Sequence, residues 1–171
     1  MAIQLIFVVE TNRKCGSDDI YIRSAIEKYY GGLSRTDIKI STVYMDGKGK
    51  YKDRGVVKQI NDKMKEFSQN GESHIIYCFD TDKYESKPED ARAFNEEAQY
   101  CEDSGYEIVW FCHDVEEVFL GHSVENNKKK QEAVRFKKTT GIENVKEANL
   151  RAKTKNAGKS NLLLCLDKYF V

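Results

Sequence analysis

No run of 18 apolar residues occurs in this 171-residue chain, no two cysteines form a C-x-x-C pair, and histidine appears only three times. The first absence leaves no stretch able to span a bilayer as a helix. The five cysteines (Cys15, Cys78, Cys101, Cys112, Cys165) are odd in number and irregularly spaced. That argues against a disulfide framework or a zinc ribbon, and we expect reduced thiols in a cytoplasmic protein. His74, His113 and His122 are too scattered for a zinc site. His113, beside Asp114, is the one of the three with a candidate ligand or catalytic role, while His122 is placed to cap a helix C-terminus. Proline occurs once, at Pro88, where a first helical turn tolerates it. The opening "MAIQLIFVVE" lacks a basic region and a small-residue cleavage site, so it reads as a strand rather than a signal peptide.

What is present is a globular composition: 40% hydrophobic residues, with 18 Phe and Tyr. The length suits one domain with a sizeable core. Net charge is zero, but residues 1–125 carry 16 basic against 24 acidic side chains, and residues 126–171 carry 12 against 4. An acidic body of net −8 is thus joined to a basic segment of net +8. A solvated helical face would explain the basic part equally well, including Lys128–Lys130.

Strand and helix signals alternate. "IQLIFVVE" (3–10) is a continuous apolar run of the kind buried on both faces. Asp18 or Asp19 then caps a helix with Ile22, Ala25, Ile26 and Tyr29 inward, stopped by Gly31-Gly32. "DIKISTVYM" (37–45) alternates as a strand. A second helix places Val57, Ile60, Met64 and Phe67 on one face. Residues 73–79 form a third strand, and a helix from Pro88 to about Asp103 turns Ala91, Phe94, Ala98 and Cys101 inward before Gly105. "YEIVWFC" (106–112) is a fourth strand with Trp110 in the core, and Asp114 caps a short helix. Residues 126–138 read as a basic helix, 139–158 as a polar connection and 159–170 as a closing helix. The pattern predicts an α/β domain: a mainly parallel four-stranded sheet with helices on both faces. "NAGKSN" (156–161) resembles a P-loop ending, but Lys153 stands where the first glycine is needed.

Acids gather where strands end. Glu10 closes the first strand, Asp80 and Asp82 close the third, where alternation points both to one side, and Glu116 and Glu117 follow the fourth. In parallel sheets ligands bind at the carboxyl edge, where the loops after strands emerge. Two carboxylates about 5–6 Å apart repel by on the order of 1–3 kcal/mol, a cost a divalent cation removes. Oxygen ligands without a His–Cys partner favour Mg²⁺ or Mn²⁺. Asp-x-Asp after a strand is also a common turn and cap. It is the repetition at successive strand ends that points to metal.

"LIFVVE" and "IIYCFDTD" together resemble the Toprim pattern of an apolar strand ending in Glu followed by one ending in Asp-x-Asp. "YEIVWFCHDVEEVFLGH" is similar in outline to the RloB-like branch of bacterial defence proteins, related to OLD nucleases. The likeness covers about residues 3–124. It implies a Toprim-like, Rossmann-like catalytic domain at 1–124 with a basic helical appendage at 125–171 packed on the same domain. By the resemblance Glu10 acts as metal ligand or general base, Asp80 and Asp82 as metal ligands, and Glu116 completes the cluster or binds a second ion, with Glu117 as its substitute. The position four after Glu10, an acid in OLD nucleases, is Lys14 here, and the nearest acids are Asp18 and Asp19. The expected activity is Mg²⁺- or Mn²⁺-dependent hydrolysis of DNA or RNA in phage defence, with the basic segment on the nucleic-acid backbone. The alternative is a non-catalytic module docking on an ATPase partner or on a second copy of the chain as a homodimer. A nucleotidyl transferase is the third reading, for which the chain is short.

Overall fold

A computed structural model describes residues 1–31 and 35–170. The predicted α/β class holds: five strands form one sheet in the order β2-β1-β3-β4-β5. The elements are β1 (Ala2–Val9), α1 (Ser17–Tyr30), β2 (Ile38–Tyr44), α2 (Arg54–Phe67), β3 (Gly71–Asp80), α3 (Pro88–Ser104), β4 (Glu107–Cys112), α4 (Val115–Leu120), α5 (Lys129–Lys138), α6 (Glu147–Leu150), β5 (Lys159–Ser160) and α7 (Leu162–Leu166). The first four strands are parallel. The fifth, antiparallel to β4, corrects the expected count of four.

β1 is an interior strand, between β2 and β3, and its apolar run is buried on both sides of the sheet. Leu5, Phe7 and Val9 face one layer with α1, α4, α5 and α7. Ile6 and Val8 face the other, with α2 and α3. Helices therefore cover both faces. The polar residue within β1, Gln4, is fully buried and satisfied: its amide donates to Ser73 Oγ and Lys63 O, and accepts from Ser41 Oγ. The order in which strands are added to the sheet reverses at β1, because α1 leads to β2 on one flank of β1 and α2 crosses back to β3 on the other. The carboxyl ends of β1 and β3 thus border a topological switch point.

Several local expectations change. Gly16, left-handed at φ 59°, stands at the N-cap of α1, and Asp18 and Asp19 lie inside its first turn rather than capping it. Gly31 ends the helix in the left-handed conformation, while Gly32 lies outside the described residues. On α2 the buried residues are Val56, Ile60 and Phe67, and Met64 is 37% exposed because it sits beyond the edge of the sheet-facing stripe. Gly121 closes α4, leaving His122 exposed with Nδ1 against Ser123 O. Asp114 caps α4 as expected, accepting from Glu117 N at 2.8 Å. The expected polar connection (139–158) contains a 3-10 turn at Gly141–Asn144 and α6, which bury Ile142 and Leu150. The closing helix shortens to α7, since Lys159 and Ser160 are drawn into the sheet. There the Asn161 side chain prolongs the ladder, accepting from Trp110 N at 2.9 Å and donating to Ile108 O at 3.0 Å.

Candidate functional site

The carboxyl edge is built by stopping two buried strands on acids. Glu10 Oε1 accepts from Asp80 N at 3.3 Å, joining the ends of β1 and β3. Asp80 Oδ1 accepts from Val115 N at 3.1 Å, which brings the start of α4 against it. Beyond Asp80 the chain continues along β4, with Thr81 N on Phe111 O and Asp82 N on His113 O. Asp82 then adopts a left-handed φ of 49°, so strand alternation no longer applies to it. This corrects the expected same-side placement: the Asp80 carboxylate reaches α4, whereas that of Asp82 pairs with Lys48 in the β2–α2 loop.

Three further side chains join these acids. Asp18, 6% exposed on α1, accepts from Thr11 N at 3.4 Å. Glu116, fully buried on α4, has neither carboxylate oxygen hydrogen-bonded and lies 3.9 Å from Lys129 Nζ. Glu97 of α3, 1% exposed, has one oxygen without a partner. The acids divide between two lysines. Glu10 and Glu97 feel Lys48 most among nearby cations, while Asp18 and Glu116 feel Lys129.

Burial dominates the electrostatics. It raises Glu10 well above the carboxylate range against the pull of Lys48, with Glu97, Asp18 and Asp82 pushing the same way. Asp80 is likewise raised well above its usual value by burial, then by Glu10, Asp18 and Glu116. Burial lifts Asp18 to about 6, and lifts Glu97 and Glu116 each to about 7 despite their lysines. The lysines respond in kind. Burial opposes the Lys48 ammonium, but its bond to Asp82 and the field of Glu10 hold it above the ordinary lysine value. Lys129 behaves alike beside Glu116, Asp80 and Asp18.

Glu10, Asp80 and Glu116 thus share one charged cluster, with Asp82 at its Lys48 end. Glu117 lies apart: its carboxylate holds the His113 ring at Nδ1 (2.9 Å) and accepts from Ser123 Oγ. His113 bonds Glu85 through its other nitrogen, so both ring nitrogens are committed. Of the Lys128–Lys130 run, Lys129 turns inward to Glu116, and Lys130 donates to Lys14 O at 2.9 Å beside the β1–α1 loop. The P-loop resemblance has no counterpart, since Gly158 N donates to Cys112 O and Ser160 is paired with Phe111.

Among the described residues, no three His, Cys, Asp or Glu side chains converge closely enough to cage an ion as they stand. The donor chemistry nonetheless fits a hard divalent cation, since the cluster is all carboxylate and holds buried oxygens with no other partner. Sequence reasoning missed Glu97, whose signal was an acid at the i+3 position from Phe94 on the inward stripe of α3. It also took Asp18 as a candidate helix cap and not as a site residue, and left the two lysines unidentified, because nothing local marks which of 28 basic residues folds inward. No protein-family model matches the chain, and neither a curated protein nor a solved structure does so.

Proposed function

We propose that the chain is a metal-dependent nuclease of Toprim type, hydrolysing phosphodiester bonds of DNA or RNA in bacterial phage defence. The observation that carries this reading is the group of mutually repelling carboxylates at the switch point, two of them with buried oxygens that no protein donor satisfies. Glu10, Asp80 and Asp82 would hold Mg²⁺ or Mn²⁺, with Glu116 and Asp18 on the Lys129 side and Glu97 on the Lys48 side. A bound ion would polarise an attacking water and neutralise phosphate oxygens.

The chain's own groups supply the rest. Glu10, whose carboxyl burial holds well above its ordinary value, would serve as metal ligand or as general base toward the attacking water. Lys48 stays cationic and half-exposed at the rim, where it can face charge building on a phosphate. Lys129 offsets the charge of Glu116 and Asp18 from the opposite side. Lys14, Lys128 and Lys130 lie beyond it and can contact the nucleic-acid backbone.

The test is a titration of Mg²⁺ and Mn²⁺ into wild-type protein and Asp80→Asn, following heat and thermal midpoint. Saturable binding that raises the midpoint of wild type, and is lost in the variant, is the expected result. Identical responses in both proteins would reject the metal centre.

One observation favours a second reading. Lys48 and Lys129 already offset part of the cluster from within the chain, as a purely structural acid network would require. The protein would then be a non-catalytic interaction module that docks on an ATPase partner or self-associates. Under this reading, charge reversal in residues 128–138 abolishes protein docking and leaves nucleic-acid affinity unchanged.

A further inference from the structure

Between α6 and β5 the chain forms a strap, residues 151–158, whose Ala152 packs on the α2/α3 side of the sheet. The Lys155 ammonium of this strap sits among three aromatic rings from three elements. It lies 5.0 Å from the ring centre of Phe94 on α3, 5.8 Å from Tyr84 in the β3–α3 loop and 6.0 Å from Trp110 on β4. Phe94 and Trp110 are 5% and 7% exposed, so two of the walls belong to the core. The third is fixed by the Tyr84 hydroxyl, which donates to Lys155 O at 2.6 Å. The Trp110 backbone is itself pinned by Asn161. Among the described residues the Lys155 ammonium forms no ion pair with a carboxylate. Its charge is met by ring faces.

Such a cage attracts a cation through the ring quadrupoles, and gains most when the cation is weakly hydrated. A primary ammonium is compact and strongly hydrated, so Lys155 surrenders water to enter. A trimethylammonium group spreads the same charge over methyls that match the ring faces. We propose that Tyr84, Phe94 and Trp110 form a binding site for a methylated alkylammonium cation, occupied in cis by Lys155. An external ligand of this class, either a trimethyllysine side chain or a free choline-type head group, binds by displacing the Lys155 side chain. Because its backbone is held at the site, the Lys155 side chain competes with any incoming cation as an intramolecular ligand. A cavity of about 270 Å³ lies on the other side of the strap, with Trp110, Ala152, Lys153 and Asn161 among its lining residues. This site is separate from the acid cluster and does not depend on the nuclease reading.

Trp110 is the single tryptophan of the chain, so its fluorescence reports the cage directly. Tetramethylammonium chloride is titrated into wild type and Lys155→Ser, against sodium chloride at equal ionic strength. The variant is expected to show a saturable change, with wild type responding at least tenfold more weakly. A linear response in folded Lys155→Ser that matches sodium chloride would overturn the site. Should Lys155→Ser not fold by circular dichroism, wild type at higher tetramethylammonium gives the same decision: saturation supports the cage and a linear response overturns it. Choline and a trimethyllysine peptide, compared at equal concentration, then distinguish a free head group from a protein tail by which binds more tightly.

Discussion

Glu97 and Glu116 each titrate near 7 in the folded protein, above the ordinary value of 4.5, because burial penalises their charged forms. The folded state therefore holds more protons than the unfolded chain between about pH 4.5 and 7. The stability linked to these groups is fully present below that window and lost as pH rises through it. Each could account for on the order of 3 kcal/mol, not additively, since neighbouring sites couple. Metal-free protein should thus have a lower urea midpoint at pH 8 than at pH 5, and Glu116→Gln should raise the pH 8 midpoint and flatten the slope. A flat wild-type profile would contradict the burial argument. Lys129→Met should act in reverse, costing about 1–3 kcal/mol at pH 8, where Glu116 and Asp18 are charged, and far less at pH 5. If Mg²⁺ binds the cluster, a concentration a hundredfold above its Kd adds about 2.7 kcal/mol, comparable with the pH 8 loss linked to one of these groups. Of the cluster, Glu10, Asp80 and Glu116 were legible because each lies at the end of an apolar strand or within four positions after it. Glu97 was not, since its only mark is polarity on an inward helical stripe.

Among elements, the parallel strands were legible because a run of β-branched and aromatic residues bounded by turn signals has few other uses. β5 was not. Two residues carry no periodicity, and its place in the sheet depends on Asn161 supplying side-chain bonds where a longer strand would use backbone. Asn161→Ala should leave Trp110 N and Ile108 O without these partners at the β4 edge, destabilising the fold by about 1–3 kcal/mol in urea unfolding. At the start of β3, Gly71 packs so closely on β1 that an added Cβ would lie 1.7 Å from Ala2 O. Gly71→Ala must therefore shift one strand against the other. A loss of about 2–4 kcal/mol is expected, with tolerance at wild-type stability showing that the β1–β3 contact can open. Asp82 shows the limit of strand logic: its left-handed turn breaks the alternation that the Asp-x-Asp spacing implied.

For the whole molecule, the basic segment is a structural partner of the body. α5 packs on α1 through Ala133 and Phe136, the latter edge-on to Tyr21, and Leu150, Leu162, Leu163 and Leu166 complete the same core. A chain cut after residue 124 should bind a hydrophobic dye and lose its cooperative melt, whereas an independently folded 1–124 would melt as sharply as the full chain. The segregated charge also folds back on itself, as Lys168–Glu107 (2.8 Å) and Lys129–Glu116 (3.9 Å) pair bases of the segment with acids of the body. The −8 and +8 of the sequence are therefore partly spent within the molecule, and binding of a nucleic-acid backbone would depend on the basic residues left at the α5 rim.

The sequence by itself determined the α/β class, the position of the first four strands and the arrival of acids at strand ends. These follow from hydrophobic periodicity and turn chemistry, which act over a few residues. Strand order, the turning of Asp82 toward Lys48, the recruitment of Asp18 and Glu97, and the enclosure of Lys155 by three rings were decided only in the tertiary structure. Each requires side chains from distant segments to share one low-dielectric space, and nothing in local spacing records which of them meet.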